Sequence, residues 1–406
     1  MWILSNHALQ AIGHMSQVGQ DSCALSCPAM LIFMCAESWH WFRVMNRKKD
    51  CNIYRIELIV KDKLCQKNIS VMNLFANPCP VCGSEDVCAD HQYKTKNYGV
   101  RKIYHCQKCD IYFSETFGTP IAGLTTKLSR IVEILKARSE GMGLNATVRT
   151  FNVSKKSVIS WERRLGGIKP TLMLYALLQK FVHQDIEGDE LYTKVKQNVP
   201  APDSEGWTIV LMERGSRFLW ELQCGRKDQL LFEEALQVLA DVIAQTGSLN
   251  LFTDGERRYG NLLFDICHQV IRNGSVGRPA KKLLKGVRVR LKNKGAKKKL
   301  GRPRKKYQAP VPEHPETENL VNDKDIHANH VEAFNASLRR RNSAFRRKTN
   351  TYAKSRNNLQ RTLDVFWLVH NFVRAHFTTK IVPAVKLGVM EVGLSWSQLF
   401  SIQYLF

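Results

Sequence analysis

Apolar residues recur at two different periods along the chain, and their order predicts a succession of helices and strands. Between Thr125 and Leu165 the apolar positions repeat at helical spacing, which predicts two or three helices. Further along, short apolar runs predict four strands, and an amphipathic stretch from Asp228 to Gln245 predicts a helix before the fourth. The predicted strands are Asp185–Val195, Trp207–Met212, Phe218–Cys224 and Leu249–Thr253. With a final helix from Leu359 to Phe377, this order is typical of an α/β domain.

Length and charge narrow the class of protein. The chain has 406 residues, enough for two to four domains. Its 61 basic and 36 acidic residues give a formal net charge of +25, which favours a polyanionic partner because phosphate binding releases counterions. We expect no membrane partner, since the most apolar candidate span, Cys23–Phe42, contains Glu37 and His40. Residues 1–70 carry no recognisable motif and are an unassigned N-terminal extension.

Four of the twelve cysteines form two Cys-x-x-Cys pairs, which predict a structural metal site. Cys79 and Cys82 form the first pair, and Cys106 and Cys109 form the second. Two such turns at hairpin tips place four sulfur atoms around Zn²⁺, so we expect a zinc ribbon over residues 71–118. The segment contains three alternative ligands, which are Cys88, His91 and His105. Thiolate ligands in a chain without a recognisable export signal favour the cytoplasm.

Residues 122–168 predict a helix-turn-helix DNA-binding domain. A glycine break at Gly141–Gly143 and a short turn at Phe151–Val153 separate the helices, and Ser154 is a favourable N-cap for the last one. The exposed face of that helix offers basic and hydroxyl side chains to a major groove. These are Lys155, Lys156, Ser157, Ser160 and Arg164. The alternative is a helical hairpin that only packs against the rest of the chain.

Three acidic residues stand where the predicted elements favour a metal site. Asp189 lies in the first predicted strand, and Asp254 follows the fourth. Glu332 opens a helix on which Arg339 follows two turns later, on the same face. Convergent carboxylates suit Mg²⁺ or Mn²⁺, and a pair of such ions promotes phosphodiester cleavage. Neighbouring acids compete for these roles, namely Glu187, Glu190, Glu313, Glu316 and Glu318.

A basic insertion separates the second and third of these acids. Residues 275–308 contain 15 Lys or Arg and no acid. Two Gly-Arg-Pro cores within it resemble AT-hooks, which enter narrow minor grooves. We therefore expect DNA contacts from Arg278, Arg302 and Arg304, the alternative being a solvated charge run that binds phosphate only. The apolar tail, residues 378–406, either covers the catalytic domain or docks a second subunit.

Four motifs in the C-terminal half carry a resemblance to a known family. They are Gly188-Asp-Glu-Leu191, Phe252-Thr-Asp-Gly255, Pro312-Glu-His-Pro-Glu-Thr317 and Ile326-His-Ala-Asn-His-Val-Glu-Ala-Phe-Asn335. Together they resemble DDE transposases of the insertion-element-one family, in the fused single-chain form of the cyanobacterial type. The resemblance implies a multidomain α/β chain with a zinc ribbon, a helix-turn-helix and an RNase-H-like catalytic domain, here residues 180–377.

The resemblance also implies an activity and residue roles. The protein would bind terminal inverted repeats of an insertion element and perform metal-dependent strand cleavage and strand transfer. Asp189, Asp254 and Glu332 would hold two Mg²⁺, while Asn335 and Arg339 would position the scissile strand. The implied partners are double-stranded DNA, as element ends and target, and further copies of the chain in a homo-oligomeric synaptic complex at the nucleoid. Three alternatives stay open: a catalytically silent or domesticated DNA-binding regulator, a nuclease that cuts without joining, and a DNA-packing protein.

Overall fold

A computed structural model describes residues 78–197, 199–254, 256–272, 277–291, 326–347 and 350–404. The chain divides into two units, Met1–Ser70 and Val71–Phe406, and every described residue belongs to the second. The expected extension over residues 1–70 therefore lies outside the described residues. Across those ranges, no helix is both long enough and apolar enough to cross a membrane.

A three-stranded antiparallel sheet follows the first cysteine pair. Its strands, in the spatial order β1-β2-β3, are β1 (Val87–Thr95), β2 (Gly99–Cys106) and β3 (Ile111–Ser114). Gly99, with a φ of 70°, permits the tight turn from β1 to β2. The buried apolar residues of this sheet form a cluster of only Cys79, Cys106 and Phe113. Apolar burial therefore contributes little to the stability of this segment.

Three helices occupy the segment for which two or three were predicted, namely α1 (Leu128–Ser139), α2 (Leu144–Phe151) and α3 (Lys155–Gly166). A fourth helix, α4 (Lys169–Leu177), follows this segment. Asn152, in a left-handed conformation with φ 48°, ends α2. Ser154 then caps α3, because its Oγ accepts a hydrogen bond of 3.0 Å from the backbone N–H of Ser157. The inner face of α3 is apolar, with Val158 and Trp161 buried.

The central sheet has five strands in the spatial order β10-β7-β4-β5-β6. In chain order the remaining strands are β4 (Gln184–Tyr192), β5 (Trp207–Glu213), β6 (Leu219–Gly225), β7 (Leu249–Thr253), β8 (His268–Ile271), β9 (Ala280–Leu283) and β10 (Val287–Leu291). Strands β4, β5 and β6 are antiparallel neighbours, whereas β7 runs parallel to β4 and β10 runs parallel to β7. Strands β8 and β9 form a separate antiparallel pair. The fold is therefore a mixed α/β architecture with β4 at the centre of its sheet.

Strand β10 corrects the predicted start of the basic insertion. The sequence predicts that the insertion begins at residue 275, but residues 287–291 are the fifth strand of the central sheet. Val287, Val289 and Arg290 are buried, and Arg288 is half-buried. Valine and arginine alternate along this strand with a period of two. This alternation is obscured in the sequence because lysine and arginine dominate the composition around it.

The remaining helices follow the strands. They are α5 (Gln229–Thr246), α6 (Arg257–Ile266), α7 (Asn329–Arg341), α8 (Arg356–Leu368), α9 (Pro383–Lys386) and α10 (Trp396–Leu399). Asp228 caps α5, since its Oδ1 accepts from the backbone N–H of Leu231 at 3.1 Å. Helix α8 continues into one π-helical turn, Val369–Val373, so the last predicted helix ends before Phe377.

Helices cover both faces of the central strand. Helix α7 lies on the face of β4 that carries Glu187 and Asp189, because Asn335 of α7 donates a hydrogen bond to Asp189. Tyr259 of α6 lies on the opposite face, where a Cβ atom built on Gly188 would meet its ring at 3.1 Å. Side chains alternate along a strand. The two sides of β4 therefore face different helices.

A buried ion-pair network joins the first helices to α8. The side chain of Glu162 on α3 is 3% exposed and pairs with Arg138 of α1 at 2.7 Å and with Arg361 of α8 at 3.1 Å. Two cations share one buried carboxylate, so removal of the carboxylate would leave both without their partner. The predicted helix-turn-helix thus packs against the described part of the catalytic segment.

The tail packs onto the same helices. The hydroxyl of Tyr404 donates to the backbone oxygen of Arg164 at 3.0 Å, and the backbone N–H of Ile121 donates to the oxygen of Phe400 at 3.3 Å. The apolar residues of the tail are buried in the common core, among them Leu394, Trp396, Leu399, Phe400 and Ile402. Residues of the tail therefore pack against the helices of the predicted DNA-binding segment.

Candidate metal sites and nucleic-acid contacts

The two cysteine pairs come together at the base of the small sheet. One ligand atom from each of Cys79, Cys82, Cys106 and Cys109 lies within 4.8 Å of all the others. The Sγ atoms of Cys79 and Cys109 are 3.4 Å apart, and those of Cys82 and Cys106 are 3.6 Å apart. Four thiolates at about 2.3 Å from a tetrahedral Zn²⁺ would be about 3.8 Å from each other. The spacing fits zinc within a few tenths of an ångström.

Both cysteine turns have the same local construction. The residue after each pair has a left-handed backbone, Gly83 with φ 67° and Asp110 with φ 55°. Its N–H donates to the carbonyl of the first cysteine, at 2.8 Å for Cys79 and 2.9 Å for Cys106. Burial raises the pKa of the Cys79 thiol, but backbone N–H groups and the neighbouring thiols outweigh it and leave the pKa at about 6. Burial and the neighbouring thiols raise the pKa of Cys109 to about 12, so the coupled thiols of this group do not ionise together and Cys79 ionises first.

The alternative ligands of this segment lie outside the cysteine group. Cys88 Sγ donates to the backbone oxygen of His105 at 3.7 Å. His91 pairs with Asp90 at 2.6 Å, and the ring of His105 contacts Asp110 at 2.7 Å. Among the described residues, the sulfur cluster consists of the four predicted cysteines.

Two of the three predicted acids are level with each other in the central sheet. The parallel register pairs Ile186 with Leu251 and Glu187 with Phe252. Two steps further along the same register, Asp189 comes level with Asp254, which immediately follows β7. Neighbouring strands are about 4.8 Å apart, so the register alone brings the two carboxylates together. A third acid joins them, because ligand atoms of Asp189, Glu190 and Asp254 all lie within 4.8 Å of one another.

Helix α7 is held against Asp189 by an amide. Nδ2 of Asn335 donates to Oδ2 of Asp189 at 2.8 Å, and Asn335 is buried. Glu332 lies one turn earlier, in the first turn of α7, where it is exposed. It is not part of the acid group, by which we mean Asp189, Glu190 and Asp254. Arg339 lies one turn later. Burial lowers the pKa of its guanidinium and Arg347 lowers it further, while the nearby charge of Asp189 raises it.

Glu187, which sequence reasoning left as a competitor of Asp189, anchors the start of the same helix. Its carboxylate accepts hydrogen bonds from the backbone N–H groups of His330 and Val331, at 3.0 and 2.8 Å, and pairs with Arg214 at 2.8 Å. Burial raises the pKa of Glu187, but the side chain of His330, whose Nδ1 lies 2.8 Å from Oε1, the backbone N–H of Val331 and the charge of Arg214 outweigh it and lower the pKa overall. Glu187 also groups with His327 and His330. The sequence signal for this role was an acidic residue at a buried position of a strand. The sequence did not show that its partners would be backbone groups at the start of α7, which is distant along the chain.

Glu190 is the acid that the sequence did not select. Its side chain is 9% exposed, and its Oε2 lies 3.1 Å from Nζ of Lys227. Burial raises the pKa of Glu190, Lys227 opposes this, and the charges of Asp254 and Glu256 raise the pKa again, so the shift is upward. The hydroxyl of Tyr259, from α6, lies in the same region, and burial raises its pKa well above the ordinary value.

The predicted DNA-contacting face of α3 is only partly open. Lys155 and Lys156 are exposed, whereas Ser157 and Ser160 are half-buried, and Ser157 is engaged with the cap residue Ser154. Nη1 of Arg164 donates to two carbonyl groups of the preceding loop, Pro120 and Ala122, at 3.3 and 2.6 Å. Arg164 therefore fixes the loop from within the protein.

The basic insertion is described in part. Arg278 is exposed beside strand β9, which agrees with a residue available to phosphate. Arg302 and Arg304 lie outside the described residues, as do the competing acids Glu313, Glu316 and Glu318.

Comparisons with protein families and with characterised proteins found no match for this chain. The candidate sites therefore rest on the chemistry of the residues themselves.

Proposed function

We propose that the protein is a DDE-type transposase that binds the terminal inverted repeats of an insertion element, cuts the DNA strands there and joins them to a target. The observation that carries the proposal is the shared register of Asp189 and Asp254, with a helix bearing Glu332 held against Asp189 by Asn335. In this arrangement β4 and the end of β7 carry Asp189 and Asp254, and α7 brings Asn335 into contact with Asp189 at the same end of the sheet.

The topology of the central sheet supports an RNase-H-like domain. Three antiparallel strands are followed by two parallel ones, and the middle strand carries the first acid. The second acid follows the fourth strand of the sheet in chain order, and the third stands on a later helix. This distribution of acids is what the family resemblance implies.

The donor set suits hard divalent cations. Asp189, Asp254 and Glu332 offer only oxygen ligands, which Mg²⁺ and Mn²⁺ prefer. Bound ions of this kind supply activation of a water or a 3′-hydroxyl and stabilisation of the leaving oxygen. Asn335 fixes the orientation of the Asp189 carboxylate, and Arg339, on the same side of α7, supplies positive charge for the phosphate of the scissile strand.

DNA binding would be shared between modules. The formal charge of +25 favours DNA, and the exposed lysines Lys155 and Lys156 stand at the start of α3. The cysteine cluster would hold structural Zn²⁺ and so stabilise a sheet that has little core of its own. Synapsis of two element ends requires at least two copies of the chain, and a homo-oligomer is part of the proposal.

The test is Mg²⁺-dependent cleavage and joining of a plasmid that carries the DNA flanking the gene. Wild type is compared with Asp189→Asn and Glu332→Gln, and DNA binding is measured in the same samples. We expect all three proteins to bind and only wild type to cut and join. Cutting that survives in Glu332→Gln would exclude Glu332 as the third acid.

The same experiment separates the alternatives. Binding by all three proteins without any cleavage would favour the catalytically silent or domesticated regulator. Cleavage without strand joining would favour a nuclease. Binding that ignores the flanking sequence, again without cleavage, would favour a DNA-packing protein.

A further inference from the structure

Carboxylates from both faces of strand β4 meet at one edge of the central sheet. Asp189 faces α7, whereas Glu190 belongs to the face on which Tyr259 of α6 packs. Strand β7 ends at Thr253, whereas β4 continues to Tyr192. The last residues of β4 therefore have no β7 residues beside them. At this end of β4, a carboxylate oxygen of Glu190 lies within 4.8 Å of carboxylate oxygens of Asp189 and Asp254, although Glu190 belongs to the other face of the strand.

Buried polar atoms without partners surround the α6 side of this edge. Among the described residues, Oε1 of Glu190 has no hydrogen-bond partner, and the side chain is only 9% exposed. Oγ1 of the fully buried Thr253 likewise has none there, and the hydroxyl of the fully buried Tyr259 has none at ordinary hydrogen-bond distance, although it lies close enough to interact with the Glu190 carboxylate. Buried polar groups are nearly always satisfied in folded proteins. Several such oxygen atoms beside three carboxylates indicate that a ligand is accommodated there, and oxygen donors select a hard cation.

A lysine already supplies positive charge to this side. Nζ of Lys227 lies 3.1 Å from Oε2 of Glu190 and 3.5 Å from Oε2 of Glu256. It also lies 4.6 Å from the centre of the Trp207 ring. The ammonium group is thus positioned between two carboxylates by three separate side chains. It leaves the other oxygen of Glu190 without a hydrogen-bond partner in the part of the chain that the structure describes.

We infer that Glu190 is a ligand of a divalent cation on the α6 side of the acid cluster, shared with Asp189 and Asp254, and that Lys227 competes with this ion for Glu190. The inference deepens the proposed function, on which it rests for the presence of a first ion between Asp189, Asp254 and Glu332. Asp189 and Asp254 would be ligands common to both ions, as ligand atoms of Asp189, Glu190 and Asp254 all lie within 4.8 Å of one another. Each face of β4 would then contribute the distinguishing ligand of one ion, Glu332 from the α7 side and Glu190 from the α6 side.

The experiment counts Mn²⁺ ions bound to the full chain by electron paramagnetic resonance, in protein whose cysteine site is loaded with Zn²⁺. We expect two Mn²⁺ per wild-type chain, one in Glu190→Gln and one in Glu332→Gln. Glu256→Gln is the matched control, since Glu256 also pairs with Lys227 but is not part of the acid group, and it should bind two. Two ions in Glu190→Gln would overturn the inference.

A second variant keeps the test decisive if Glu190→Gln does not fold. Lys227→Met removes the competing charge, and we expect it to tighten the weaker Mn²⁺ site by about tenfold, given the strength of a charge interaction near a protein surface. Unchanged or weaker binding would contradict the role of Lys227. Wild type that binds two ions but cuts no DNA would refute the proposed function while leaving this site in place. Loss of every ion in Asp189→Asn is the expected sign of a shared ligand.

Discussion

Asn335 and Asp189 are joined by a hydrogen bond of 2.8 Å that connects helix α7 to the central strand. The bond occupies Oδ2 of Asp189, while Oδ1 accepts from the backbone N–H of Glu190 at 2.9 Å, so the two bonds together orient the carboxylate. Because Glu332 and Arg339 lie on the same helix, this contact and the bonds from Glu187 to the start of α7 together set their height above the sheet. The amide therefore acts as a positioning group, a more specific role than the strand contact implied by the family resemblance.

Replacement of Asn335 should separate positioning from ligand chemistry. In Asn335→Ala we expect the free energy of unfolding to fall by about 1–3 kcal/mol, because Asp189 loses a donor in a buried setting. Cleavage of the element-end plasmid should fall by at least about tenfold, the equivalent of 1.4 kcal/mol in the barrier. Asn329→Ala, at an exposed position of the same helix, is the control and should change neither quantity. Full cleavage by Asn335→Ala would show that Asp189 does not need the amide of Asn335 for its orientation.

The cysteine cluster should account for one Zn²⁺ per chain. Cys106→Ser removes a buried ligand, and we expect it to abolish zinc binding and to unfold the small sheet, which has little apolar core. Zinc content would be measured by plasma mass spectrometry and the state of the sheet by limited proteolysis. Cys88→Ser is the matched control, since Cys88 lies outside the group and should retain the ion. Equal zinc in both variants would contradict the assignment.

His370 should make the stability of the protein depend on acid pH. Burial lowers the pKa of this histidine to about 3, against an ordinary value of 6.5, and its Nε2 contacts the backbone oxygen of Arg217 at 2.8 Å. Below pH 6.5 the unfolded chain takes up a proton that the folded chain refuses. The contribution of His370 to the free energy of unfolding is therefore complete above pH 6.5. It is lost as the pH falls towards 3, by about 1.4 kcal/mol per pH unit.

The measurement is chemical denaturation at pH 7 and pH 5. From pH 7 to pH 5, wild type should lose about 2 kcal/mol more unfolding free energy than His370→Gln, in which the glutamine does not titrate. Both proteins share every other titrating group. An equal loss in the two proteins would mean that the histidine is not held neutral in the fold.

Gly141 should be intolerant of any side chain. Its φ is 94°, and a Cβ atom there would lie 2.7 Å from the backbone oxygen of Arg340 and 2.8 Å from Nη2 of Arg346. Gly141→Ala should therefore destabilise the fold by about 1 kcal/mol for the backbone, plus a further cost for the clash. Gly123→Ala is the matched control, because Gly123 has a φ of 65° but no atom within 4 Å of its added Cβ. Thermal unfolding should show the larger loss at Gly141.

Local periodicity predicted most of the elements but not all of the sheet. The cap at Ser154, the helix that follows Asp228 and the strand that ends before Asp254 were all visible, because short-range propensities and patterning agree there. Strand β10 was missed because its alternation of valine and arginine lies within a long basic run. Its burial depends on the neighbouring strand β7, which is distant in sequence.

The candidate site was predictable as a group of residue types and less so as a geometry. The sequence indicated Asp189 and Asp254, and the parallel register accounts for their meeting. The sequence did not assign different roles to Glu187, Asp189 and Glu190, because the role of each depends on which helix covers its face of β4. The catalytic role of Glu332 stays a prediction, since Glu332 is exposed in the first turn of α7 and is not part of the group formed by Asp189, Glu190 and Asp254.

The packing of the tail onto the first helices has a consequence for the order of folding. The hydroxyl of Thr171 donates to the backbone oxygen of Gln403 across 232 positions of sequence. During translation, the predicted DNA-binding helices therefore leave the ribosome long before the residues that cover them are made. Their apolar surface stays uncovered through the synthesis of the whole central sheet. Since contacts of such long range form slowly, the final packing of these helices should be acquired late, after the acid cluster has assembled.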